Sequence, residues 1–239
     1  MKRYQVILLV TAGVIVLLWI VGRMTGTLQF YNFPTSAMEP TIHVGQKFFT
    51  TNLATAGRND IIAFTRLTDQ YGMPDPYGKK NTFASRVIAG EGDKLEIRNG
   101  YAYINQQLAD DTTRLKFDYS FSNTDVNTIA KFLNIDLEKN PFSNAIIQMD
   151  AMTSIVFLSF DQYEKAKNQV ALKRVIKTDT SFMLKEYVEK NWSIDEFGPY
   201  IIPAGHVFVM GDNRHMAQDS RYVGPIPIKD IKGVLIVKF

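Results

Sequence analysis

"GHVFVMGDNRHMAQDSRYVGPIP", residues 205–227, is the stretch on which the reading of this 239-residue chain turns. It resumes a β pattern after a region of different character, and "GVLIVKF" (233–239) comes after it as a closing strand. Upstream, short β-prone runs broken by turn residues recur: "QKFFTTNL" (46–53), "GRNDIIAF" (57–64) and "TFASRVIAGEGDKLEIRNGYAYINQQL" (82–108). Within the last of these, "KLEI" and "YAYI" alternate with period 2, and Asn99-Gly100 between them predicts a tight hairpin.

The region 108–202 reads differently. "TDVNTIAKFLNIDLEKN" (124–140) predicts a helix opening at Thr124 or Asp125, and "FDQYEKAKNQVALKRV" (160–175) another opening at Asp161. β-prone pieces such as "AIIQMDAMTSIVFL" (145–158) lie between them. No catalytic or ligand motif stands out here, so the region is expected to be an inserted α/β subdomain. The paired acids Asp110 and Asp111 read as a solvated turn.

At the N-terminus, Lys2 and Arg3 precede an apolar run with no charge until Arg23. About 19 residues at a 1.5 Å rise span roughly 28 Å, enough for the hydrocarbon core of a bilayer. The run exceeds the apolar stretch of a cleaved signal, and no A-x-A-like pair comes after it. An uncleaved anchor over 5–22 is therefore expected. The basic residues at 1–4 should stay cytoplasmic and the remainder should lie outside the inner membrane, as a single-pass protein. Trp19 and the "FYNF" of 30–33 could form an interfacial belt.

Composition excludes several classes of function. The 27 Lys and Arg are scattered among 24 Asp and Glu, which leaves no nucleic-acid footprint. The absence of cysteine rules out disulfides, thiolate metal sites and a cysteine nucleophile. No HExxH or EF-hand spacing occurs, so neither a metal nor another cofactor is expected.

Taken in order, "PTSAMEPTI" (34–42), "GRNDIIAF", "SRVIAGEGDKLEI" (85–97) and the 205–227 block resemble the bacterial type I signal peptidases. Those are membrane-anchored serine endopeptidases that remove signal peptides from exported preproteins. The resemblance rests on Met38, Pro40 and Thr41, on Gly92-Asp93, and above all on Gly211, Asp212, Asn213, Arg214, Asp219, Ser220, Arg221, Gly224 and Pro227. It implies a mainly β fold: a signal peptidase-like core over 30–107 and 203–239, interrupted by the insert at 108–202 and preceded by one transmembrane helix. It also implies a Ser/Lys dyad, in which a lysine held in an apolar pocket acts as general base and activates a serine.

This copy departs from that pattern at three places. The nucleophile position is Ala37, the lysine position is Ser85, and the hydroxyl that orients the lysine falls on Ala217. Once a nucleophile is lost, nothing requires its base or the residue orienting that base. Thr35 still offers a hydroxyl at the oxyanion position, and the resemblance implies that Arg86 pairs with Asp212 and Asp219 with Arg221. Ser36 is the obvious substitute nucleophile, but neighbouring side chains of an extended segment point to opposite faces. His215 could approach the cleft, although a lone loop histidine is usually solvated. The leading expectation is a non-catalytic homologue that holds signal peptides or assists an active paralogue at the lipid bilayer. The alternatives are a working peptidase with displaced groups, and a membrane-anchored interaction protein acting through the insert.

Overall fold

A computed structural model of the protein describes residues 2–66, 81–135 and 146–239. The fold is mainly β, as expected. The apolar N-terminal run forms a helix over Arg3–Thr25, long and apolar enough to cross a membrane, and closed by Gly26 in the left-handed region. The helix end is tied to the loop after the Lys47–Thr51 strand, because the Asn52 side-chain amide donates to the Thr25 carbonyl at 2.9 Å.

The period-2 runs become strands. Seven of them form one sheet in the order Gln29–Asn32, Lys47–Thr51, Ile231–Lys238, Ile61–Arg66, Asn81–Ala89, His206–Met210 and Ile226–Pro227. The closing strand therefore lies inside the sheet, hydrogen-bonded to strands from the first third of the chain. Its inward residues join Ile62, Phe64, Val87 and Val209 in one apolar core. The predicted hairpin forms: Asn99 and Gly100 both take positive φ (50° and 75°), which joins Lys94–Arg98 to Tyr101–Ile104.

A second sheet runs Phe197–Ile201, Lys94–Arg98, Tyr101–Ile104, Gln107–Leu108. Phe197–Ile201 lies in the stretch expected to be inserted, yet it pairs with Lys94–Arg98 and packs with Leu95, Ile97 and Phe208. Tyr187 and Ile194 enter the same core. A third sheet, ordered Lys173–Arg174, Lys116–Ser122, Thr153–Ser159, Ile146–Gln148, has its own core around Phe117, Phe121, Val156 and Leu158.

The two helices of this region are short. One covers Val126–Phe132 after a 3-10 turn at Asn123–Asp125 and ends in a turn at 133–134, short of its predicted span, of which 136–140 lie outside the described residues. The other covers Phe160–Ala166, capped reciprocally by Ser159 and Gln162.

Candidate active site

Three buried arginine–aspartate pairs build the frame of the site. Arg86, on the Asn81–Ala89 strand, holds Asp212 through Nε to Oδ1 (2.8 Å) and Nη2 to Oδ2 (2.5 Å). The Thr41 hydroxyl donates to the same carboxylate, and Arg86 Nη1 reaches the Asn59 carbonyl at 2.7 Å. Arg221 holds Asp219 at 2.9 and 2.8 Å, and Asp219 in turn accepts the Gly211 amide at 2.9 Å. Burial opposes the charge on Arg221, but the adjacent Asp219 carboxylate more than compensates and raises its pKa.

The third pair was not legible beforehand. Arg214 donates to Asp110 at 2.7 and 2.6 Å, with both side chains enclosed. The solvated-turn reading of Asp110 is thus overturned. Its carboxylate also accepts the Ala102 amide, which anchors the turn to the neighbouring strand. Asp111, by contrast, stays exposed and caps the adjoining 3-10 turn.

His215 is likewise not a solvated loop histidine. Its side chain is buried, with Nε2 2.9 Å from Asp195 and Nδ1 3.2 Å from Asp118. Asp118 and Asp195 both come from the 108–202 region, and their burial follows from that region packing on the motif loop. Burial raises the Asp195 carboxyl, but the hydrogen bond and charge of His215, with the Lys177 amide and Arg221, hold it below the usual carboxylate range. The strand Lys116–Ser122 meets the loop directly: the Lys116 amide donates to Asp212, and the Arg214 amide donates to Lys116. The Lys116 ammonium pairs with Glu39 at 2.7 Å, two residues from Ala37.

Chain neighbours of these pairs, Ser85, His215 and Tyr222, line a cleft of about 990 Å³. Ala37, Ser85, Ala217 and Thr35 all line it, so positions spread over most of the chain meet at one place. Asn213 fixes the first of them. Its amide donates to the Ala37 carbonyl and its Nδ2 to the Ser36 carbonyl, both at 3.1 Å. Gly211 permits this approach, because a Cβ there would lie 2.2 Å from the Ala217 Cβ and 2.6 Å from the Ala37 oxygen.

Residues 35–40 form bends and turns rather than the extended strand assumed for Ser36. Thr35 and Ala37 nevertheless border the cleft, while Ser36 is not among its lining residues. The Asn213 clamp, not strand pleating, accounts for that arrangement. Met38 is fully buried beneath the turn with Ile42 and Phe48, Pro40 is half-buried in it, and Ser220 accepts the Val209 amide at 3.0 Å. No charged carboxylate, ammonium or guanidinium lines the cleft among the described residues. No cluster of potential metal ligands occurs among them either.

Sequence reasoning missed Phe182, Met216 and Tyr222, which also border the cleft. Burial pushes the Tyr222 phenol up to about 12, partly offset by Arg221. The only available signal was the closeness of Met216 and Tyr222 to the motif block; Phe182 had none.

The family model for signal peptidase, peptidase S26, matches residues 3–239. The chain belongs to the signal peptidase family. It is 29% identical over 217 residues to signal peptidase I of Aquifex aeolicus, covering 87% of this chain and 74% of that one. To signal peptidase I of Buchnera aphidicola subsp. Acyrthosiphon pisum it is 25% identical over 234 residues, covering 86% and 66%. A shorter match reaches thylakoidal processing peptidase 1 of Arabidopsis thaliana, at 29% identity over 35% of this chain and 28% of the plant protein. A solved signal peptidase I from Enterococcus faecalis V583 covers 77% of this chain and 98% of its own, at 22% identity and a TM-score of 0.33.

Proposed function

We propose that this member of the signal peptidase family binds extended segments of exported preproteins and does not cut them. The observation that carries the reading is the convergence of Ala37, Ser85 and Ala217 on one cleft. At the family's nucleophile, lysine and lysine-orienting positions stand a methyl, a hydroxyl and a methyl. A methyl cannot attack a carbonyl, and a serine hydroxyl has no proton-accepting form near neutral pH. His215 borders the cleft, but both its ring nitrogens face carboxylates, which disfavours it as a substitute base.

Peptide binding is supported by a strand edge. Thr82–Ser85 pair with Ile62–Thr65 on one side, whereas His206–Met210 covers the other side only from Arg86 onward. An extended chain could add there by backbone hydrogen bonding. The Arg3–Thr25 helix would anchor the protein in the inner membrane, with Lys2 and Arg3 holding its start in the cytoplasm and the cleft outside.

Binding of a fluorescent signal peptide to the detergent-solubilised full chain, with intact mass measured afterwards, tests the reading. Saturable binding with the peptide mass unchanged is expected. Cleavage would refute the inactive half of the proposal. Absence of binding would refute the peptide half and favour an interaction protein acting through 108–202.

A further inference from the structure

The lining of the cleft bears on which side chain it accommodates. Its volume of about 990 Å³ lies at the upper end of the roughly 300–1,000 Å³ usual for ligand pockets. Small residues open it: Ala37, Ala84, Ser85 and Ala217 all border the space. A lysine at position 85 would place a four-carbon stem there, whereas serine leaves that room free. The remaining apolar lining is bulky and includes Phe48, Phe83 and Phe182. Phe182 is 60% exposed and Met216 49% exposed although both touch the cleft, so its rim carries uncovered apolar surface.

Charge points the same way. With no carboxylate, ammonium or guanidinium among the described lining residues, a charged group entering would lose its hydration without gaining such a partner. An alanine side chain would leave most of the space unfilled, and an aromatic or long aliphatic one would cover the exposed rings. We infer, resting on the peptide-binding proposal, that the cleft selects extended peptide segments carrying a bulky, uncharged apolar side chain where the segment passes Ala37 and Ser85. The Thr82–Ser85 edge would hold the backbone and the enlarged space would choose the side chain.

The test uses the full chain in lipid nanodiscs and one signal-peptide sequence varied at a single position through Ala, Leu, Phe, Asp and Lys. Fluorescence anisotropy reads the affinities. The Leu and Phe peptides are expected to bind about ten- to a hundredfold more tightly than the Ala peptide, from the apolar area they bury. The Asp and Lys peptides should bind more weakly than Ala. Phe182→Ala, at an exposed rim position, should cut the Phe-over-Ala ratio several-fold without moving thermal unfolding, and Ser85→Leu should reduce it by filling the space. If Ala binds as tightly as Phe, the size preference is wrong while peptide binding stands. If no peptide binds, or only an acyl-chain probe enters the cleft, both proposals fall together.

Discussion

Asp110 and Asp111 are neighbours with the same side chain, and the structure assigns them opposite consequences. Asp110→Asn leaves the Arg214 guanidinium enclosed without its counter-charge. The Gly211 and Gly100 carbonyls, at 3.1 and 2.9 Å, would still accept from it, but neither supplies a negative charge. Breaking a buried pair from one side costs about 3–5 kcal/mol. For a chain of this size each kcal/mol is worth about 2–4 °C, so the Tm should fall by roughly 6–20 °C. Asp111→Asn keeps an oxygen to cap Thr113 and removes only a surface pair with Arg114, with both partners more than a third exposed. Its cost should stay within about 1 kcal/mol. Thermal unfolding of the two variants side by side in one detergent, monitored by near-UV circular dichroism, decides the matter. Equal shifts would refute the argument that Asp110 is the counter-ion of a buried arginine.

Two further perturbations test the site frame. Gly211→Ala forces a Cβ against backbone and against Ala217, and should cost about 1–3 kcal/mol in denaturant unfolding; an unchanged midpoint would mean the loop does not approach Ala37 so closely. Asp195 ionises at lower pH when folded than when unfolded. Its contribution is therefore full above the ordinary carboxylate value of 3.8 and disappears as pH falls through the depressed folded value. Asp195→Asn should flatten this acid limb of the stability–pH profile, and an unaltered slope would contradict the assigned partners.

Local rules made part of this fold legible. The apolar helix, the Asn99-Gly100 hairpin and the alternating strands each arise from residues close in sequence. The capping of Phe160–Ala166 by Ser159 shifted the predicted start by one residue only. Two ion pairs, Arg86–Asp212 and Asp219–Arg221, were expected from the motifs and are present. The Arg214–Asp110 pair joins residues 104 apart and leaves no periodic trace, so an aspartate in a turn looked solvated. His215 looked like a loop histidine for the same reason. Its burial depends on Asp118 and Asp195, which a strand and a return segment bring in from the 108–202 region. Pleat alternation argues against Ser36 as a substitute nucleophile, yet residues 35–40 bend and turn, and a clamp from Asn213 fixes them.

Cleavage of a preprotein by the full-length chain in detergent, alone and with Ala37→Ser plus Ser85→Lys introduced together, tests the central claim most directly. Both positions line the same cleft, and the surrounding ion-pair frame is intact. The native chain should leave the preprotein whole, while the double variant should cut it, even if slowly. Cleavage by the native chain would contradict the account, because the chemistry would then come from groups other than those at positions 37 and 85.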